Sequence, residues 1–188
     1  MSILVHACCG PCLGGSIDIL KEAAKNEQLE AFWFNPNIHP YLEYRERMLS
    51  FKKICSDLNL KMHSGMDEYG LQLFLTSTEC DFTQARCYKC YKLRIEATAA
   101  FAAENNFSSF TTTLLISPHQ NHDLIVKTAQ QAAEKFNTRF LYLDFRPDFK
   151  KTYEAIRQHE LYKQRYCGCI FSEYIRFQHD KRYKLTDI

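Results

Sequence analysis

Short apolar runs alternate with helix-periodic segments along this chain, and that alternation restricts the fold more than any other feature of the sequence. Ser2-Ile3-Leu4-Val5-His6-Ala7 is an apolar, partly β-branched run that stops at Cys8-Cys9-Gly10-Pro11-Cys12. Leu13 to Lys25 follows with Ile17, Leu20 and Ala24 at helical spacing. Leu29 to Phe34 is a second run, closed by Asn35-Pro36-Asn37, and Tyr41 to Asn59 reads as a long amphipathic helix with Met48, Phe51, Ile54, Cys55 and Leu58 on one side. Cys90 to Asn105 is Ala-rich and helical, Phe107 to Leu115 β-branched and aromatic, Asp123 to Phe136 helical again, and Arg139 to Leu143 a further short strand. This order predicts an α/β fold whose largely parallel sheet is flanked by helices on right-handed crossovers. Ligands of such sheets gather where loops leave the carboxyl ends of strands. Cys8 to Cys12, Asn35 to Pro40, Ser117 to His122 and Asp144 to Lys150 each follow a predicted strand, so four loops distant in sequence are expected to line one mouth.

With 188 residues, 46% of them hydrophobic, the chain can bury one sizeable core. No repeat or polar tract divides it. Met1 to Val5 is too short and uncharged for a signal peptide, and no apolar run approaches the roughly 20 residues that span a bilayer, so a cytoplasmic protein without a membrane partner is expected. Nine cysteines then stand in a reducing compartment, where metal ligation or redox chemistry is a better use for them than structural disulfides.

Pro11 suits the first turn of a helix, which places Cys8 and Cys9 beside a helix N-terminus, where the dipole and free N–H groups favour thiolates. Cys87-Tyr88-Lys89-Cys90 adds a C-x2-C pair just before another predicted helix, and two pairs make a four-thiolate site. Structural zinc and an iron–sulfur cluster both fit four thiols; the contiguous Cys8-Cys9 and the nearby Cys12 supply more sulfur than a closed zinc site uses. Cys167-Gly168-Cys169 can close a small, labile ring disulfide or supply two more ligands. Cys55 and Cys80 have no partner at a telling spacing and read as ordinary buried thiols. His39, His119 and His122 fall in the proposed mouth as candidate proton donors or substrate contacts, and the sequence does not rank them.

Charge shifts along the chain. Residues 1 to 60 carry six Lys/Arg against seven Asp/Glu, whereas residues 146 to 188 carry ten against six, a net of +4 that suits either a polyanionic partner or a solvated face.

Taken in order, His6-Ala7-Cys8-Cys9-Gly10-Pro11-Cys12, the Asn35 to Pro40 loop with Glu43-Tyr44, Arg86-Cys87-Tyr88-Lys89-Cys90-Tyr91-Lys92-Leu93-Arg94, Phe110 to Pro118, Asp144-Phe145-Arg146-Pro147 and Leu161 to Glu173 resemble the cobalamin-independent, QueH-type epoxyqueuosine reductases. The resemblance spans residues 6 to 173 and implies a single iron–sulfur reductase domain over 1–188, Rossmann-like and similar to the adenine nucleotide alpha-hydrolase superfamily. It implies a 4Fe-4S cluster on Cys8, Cys9, Cys87 and Cys90, a redox-active disulfide between Cys167 and Cys169, and Cys12 as a candidate ligand for an additional mononuclear iron. The implied reaction is the last step of queuosine synthesis. The epoxide of epoxyqueuosine at the tRNA wobble position is reduced with two electrons and two protons, which requires tRNA carrying epoxyqueuosine and an unidentified electron donor. Lys150, Lys151, Lys163, Arg165, Lys181, Arg182 and Lys184 become candidate phosphate contacts, and Phe145, Phe149, Tyr162 and Tyr166 candidate stacking partners for a splayed base.

Two other classes compete. One is a non-catalytic zinc adaptor in which the four thiols only staple loops. The other, an ATP-using tRNA thiolation enzyme on a similar fold, needs a Gly/Ser-rich phosphate loop after the first strand, where this chain has cysteines.

Overall fold

The computed structural model describes residues 1–183. Its centre is a sheet of four parallel strands, β1 (Ser2–His6), β2 (Gln28–Trp33), β3 (Lys61–Ser64) and β4 (Ser109–Thr112), in the order β3-β2-β1-β4. Seven helices flank it: α1 (Gly10–Ala24), α2 (Tyr41–Asp57), α3 (Leu71–Thr78), α4 (Ala85–Glu104), α5 (His122–Lys135), α6 (Lys151–His159) and α7 (Ile170–Phe177). Six of them pack in two groups, α1 with α2 and α6, and α4 with α3 and α5. This is the expected α/β, Rossmann-like arrangement.

The strand sequences follow from position. β1 is central, and Ile3, Leu4 and Val5 are all buried because both faces of an inner parallel strand are covered. β3 is an edge strand, Lys61-Met62-His63-Ser64, exposed at all but His63, and lacks the apolar run that would mark it in the sequence. Two expected strands are shorter than predicted. Phe107–Leu115 contributes only Ser109–Thr112, because Thr112 Oγ1 accepts from Leu114 N at 3.2 Å and turns Thr113–Ile116 into a 3₁₀ helix. Arg139–Leu143 forms no strand: it meets β4 at a single bridge, Phe110 to Phe140, through bonds from Phe110 N to Arg139 O and from Leu141 N to Phe110 O. The early turn at Thr113 leaves nothing extended for it to pair with further on.

α1 sets the geometry of the β1 loop. Its N-cap is Cys9, whose Sγ accepts from Cys12 N at 3.3 Å, and Pro11 stands in the first turn. Gly10 is required by a close approach. A Cβ there would lie 2.6 Å from Ser50 Oγ and 2.7 Å from Ser50 O, so α1 and α2 touch through a glycine hydrogen. Gly10→Ala is therefore expected to force the two helices apart and cost about 1–3 kcal/mol of stability by overpacking, measured as a lowered urea midpoint at unchanged slope.

Candidate metal and thiol site

The loops after β1, β2 and β4 meet as expected, and hydrogen bonds between them are dense. His6, the last residue of β1, is fully buried: its Nε2 donates to Phe34 O at 3.2 Å and its Nδ1 accepts from Thr112 Oγ1 at 2.8 Å, linking the ends of β1, β2 and β4 as a neutral imidazole. Burial holds its pKa down at about 3, with Arg94 adding to the effect. Asn35, also buried, donates from Nδ2 to Ala7 O at 2.9 Å and accepts from Arg94 Nη2 at 2.6 Å.

Cys8, Cys9 and Cys12 place their sulfurs within 4.8 Å of one another, an arrangement that could hold a metal ion. Cys8 N donates to Thr113 Oγ1 at 3.0 Å, and the same hydroxyl donates to Cys8 Sγ at 3.2 Å. Hydrogen bonds from the Cys12 and Cys9 thiols, then the Arg94 guanidinium, hold Cys8 well below the usual thiol range. Cys9 moves the other way, chiefly through burial, and so does Cys12, chiefly through its bond to Cys8. The cluster thus favours the anion at Cys8 over one at Cys9 or Cys12.

Cys87 and Cys90 lie in the first turns of α4, which begins five residues before its predicted start, so both project from one helix face at i, i+3. They stand outside the 4.8 Å group. Burial raises both thiols, Cys90 to about 12, while Arg94, one helical turn beyond Cys90, opposes the rise there. Cys167 and Cys169 lie close enough to add to the shifts of both, which places the C-x-C loop against the start of α4.

That loop is tied to the β2 loop and to α2. Arg47, 2% exposed, pairs with Glu43 at 2.7 Å and donates from Nη1 to Cys167 O at 2.9 Å and from Nη2 to Tyr166 O at 3.0 Å. His39 N donates to Gly168 O at 2.8 Å. Gly168 has φ +147°, and a Cβ there would meet Asn37 Nδ2 at 2.9 Å, so glycine is required on both counts. Cys169 is the N-cap of α7, its Sγ accepting from Ser172 N at 3.4 Å. Cys167 is exposed at the rim, and Gln120 Nε2 donates to its Sγ at 3.2 Å.

The histidine candidates separate. His39 is buried, with Nε2 on Pro36 O at 3.0 Å and Nδ1 accepting from Ile170 N at 3.4 Å, so both ring nitrogens are used and it braces the loop instead of donating protons. His122 pairs with Tyr142 OH at 3.1 Å, and His119 rests edge-on to Phe149. Gln120, between those two histidines, is the residue of its loop that reaches a thiol, and only its place in the loop marked it. Cys55 is buried as expected, whereas Cys80 is exposed, because its αL backbone lies in the turn after α3. Phe145 is fully buried and unavailable for stacking; Tyr162 and Tyr166 give their hydroxyls to Glu43 and to His39 O. Lys151 is held by Asp18 and Asp148, each at 2.9 Å, and Arg182 by Asp180 at 2.7 Å, which leaves Lys150, Lys163, Arg165 and Lys181 as the exposed or rim cations of the expected set. Lys184 lies outside the described residues.

Fold and site together define an α/β protein whose thiols, grouped at the strand ends, can hold a metal or carry redox chemistry. A family model described as "Epoxyqueuosine reductase QueH" matches residues 3–174. The protein of that name from Dehalococcoides mccartyi is 32% identical over 176 residues, covering 93% of this chain and 94% of that one. The Thermotoga maritima protein is 30% identical, covering 91% and 90%, and the Helicobacter pylori protein is 34% identical, covering 96% of this chain and 51% of a longer one. The chain belongs to the epoxyqueuosine reductase QueH family. No helix among the described residues is long and apolar enough to cross a membrane.

The buried histidines make stability pH-dependent. His6 titrates at about 3 and His39 at about 4 in the folded chain, against 6.5 for both when free, so the unfolded state binds more protons between those values. Their contribution is complete above about pH 6.5 and is lost as pH falls; at about pH 5 each should remove about 2 kcal/mol. Urea midpoints measured across this range should fall on acidification, and the slope should weaken in a His39→Gln variant whatever its absolute stability.

Proposed function

We propose that this protein reduces epoxyqueuosine to queuosine in tRNA, with Cys8, Cys9, Cys87 and Cys90 as ligands of a 4Fe-4S cluster and Cys167 and Cys169 as the dithiol that supplies two electrons. The observation that carries this reading is the meeting of the three thiol motifs at one mouth around Arg94, whose charge helps to hold Cys8 low and opposes the burial that raises Cys90 and Cys167. The names of the relatives supply the substrate.

The donor set suits the cluster. A four-iron cluster puts each thiolate on a different iron and so spreads its four sulfurs more widely than a mononuclear ion does, which accommodates Cys87 and Cys90 beyond the tight triad. Cys8 is already poised as an anion, and a buried cation stands beside it. When bound, such a cluster would supply one-electron transfer. Cys12, whose sulfur lies within 4.8 Å of those of Cys8 and Cys9, is our candidate ligand for an additional mononuclear iron.

The dithiol accounts for the stoichiometry. Two thiols become one disulfide and release two electrons and two protons; the epoxide accepts both, its two C–O bonds break, the carbon–carbon double bond forms, and the oxygen leaves as water. An external electron donor then returns the disulfide to thiols. Cys167, exposed at the rim, faces the substrate side, and Cys169, the N-cap of α7, accepts from Ser172 N behind it. Lys150, Lys163, Arg165 and Lys181 provide the phosphate contacts.

Protein purified without oxygen should be brown and contain about four irons per chain, as a 4Fe-4S cluster requires. Incubated with a reductant and epoxyqueuosine-containing tRNA, it should yield queuosine on nucleoside analysis. Cys167→Ser and Cys169→Ser should each stop multiple turnover and leave the cluster absorbance in place. Loss of that absorbance would make the pair ligands, and a colourless protein with one zinc would overturn the reading in favour of an adaptor.

A further inference from the structure

Cys167 is held from two sides, and the two holds act on different atoms. Arg47 fixes its carbonyl from α2. Its sulfur is engaged from the opposite side of the mouth, where Gln120 Nε2 donates at 3.2 Å. Gln120 itself is set by Tyr91, whose hydroxyl donates to Gln120 Oε1 at 2.5 Å. Tyr91 is 5% exposed and follows Cys90 in α4. An amide has a donor end and an acceptor end, so engaging Oε1 on the phenol turns the N–H end to the sulfur.

The surrounding loop has little freedom to reposition this group. Gln120 N donates to Ser117 O at 3.3 Å, and the next residue, Asn121, is the N-cap of α5, its Oδ1 accepting from Leu124 N at 3.0 Å. Gln120 therefore sits on the final turn before a capped helix and reaches across to a thiol 47 positions later in the chain. Cys169 has a different donor, Ser172 N.

We propose that Gln120, oriented by Tyr91, is a positioning residue that aims the Cys167 sulfur and stabilises it as a thiolate when the pair opens or closes. The inference rests on the reading of Cys167 and Cys169 as the redox pair. A neutral donor to sulfur favours the anion over the thiol, and the thiolate is the form that attacks a disulfide or is alkylated. An acceptor in the same place would do the opposite. The other groups facing Cys167 are Cys169, Arg94 and Arg47, with Cys87, Cys90 and Tyr91 on α4, and a substitution at Gln120 leaves all of them in place.

The test is the alkylation rate of Cys167 by iodoacetamide at one fixed neutral pH, read by peptide mass spectrometry. It uses anaerobically purified, metal-loaded protein with the pair reduced, and Cys169 serves as the internal reference. Gln120→Leu should slow Cys167 about threefold to tenfold, and Gln120→Glu, which puts a carboxylate against the sulfur, by more than tenfold. Tyr91→Phe, which frees the amide to turn over, should fall between wild type and Gln120→Leu. Cys169 should stay within about twofold throughout. Equal rates in wild type, Gln120→Leu and Gln120→Glu would overturn the assignment. So would parallel changes at Cys167 and Cys169, which would mean that the whole loop had moved. The nucleoside assay separates this inference from the functional reading: the predicted alkylation order without queuosine formation sinks the reaction and keeps the contact, whereas queuosine formation with unaltered alkylation does the reverse.

Discussion

Arg94 is a cation 2% exposed to solvent with no carboxylate within ion-pair distance among the described residues, and the mouth is organised around that constraint. A buried charge is tolerated only where anions or hydrogen bonds replace lost water. Asn35 supplies one hydrogen bond and, through Ala7 O, links the guanidinium to the residue before Cys8. Its Nε has no hydrogen-bond partner among the described residues, and thiols from three segments lie around the guanidinium. Cys8, Cys90 and Cys167 come from the β1 loop, α4 and the C-terminal loop, and each feels Arg94 as a charge that favours its anion. His6, beside them, is kept neutral by burial and by the same cation. A protonated imidazole there would compete for the anions that balance Arg94.

The layout of the sheet was legible because β1 carries a buried apolar run and β2 ends in Ala31-Phe32-Trp33, buried and apolar, and because α1, α2 and α5 have long one-sided patterns. β3 was not, since the largely exposed Lys-Met-His-Ser has neither an apolar run nor β-branched residues. α7 was also invisible: it is eight residues long and its N-cap is a cysteine, where the sequence signal for a helix start is Ser, Thr, Asp or Asn. The cysteine motifs stood out by spacing alone. Gln120 and Arg47 did not, because an amide or a guanidinium shows its role only once the fold has placed a sulfur or a carbonyl in front of it. The histidines misled for the opposite reason. His39 has the residue type of a proton donor, and only its two hydrogen bonds and its burial reveal a brace.

Two helices begin on a sulfur. Cys9 and Cys169 each accept from the backbone N–H three residues on, the position that a serine or aspartate side chain usually serves. A thiol is a weaker acceptor than an oxygen, but it improves greatly on becoming a thiolate, and the helix dipole then adds to its stability. Redox or metal chemistry at either residue is therefore coupled to how firmly its helix is capped. Gly10 and Gly168, each next to one of these cysteines, allow the close approach of Ser50 in one case and of Asn37 in the other.

The order of the strands carries a consequence for the nascent chain. β1 pairs with β2 on one side and with β4 on the other, and β4 lies more than a hundred residues downstream. Thr113, which follows β4, is the residue whose hydroxyl engages Cys8. At about 5–20 residues per second, a ribosome needs on the order of ten seconds between Cys9 and Thr113. For that interval Cys8, Cys9 and Cys12 stand at the end of a strand whose β4 side has no partner yet. The thiols of the tight triad are thus among the first residues made, and the hydroxyl that engages Cys8 among the later ones.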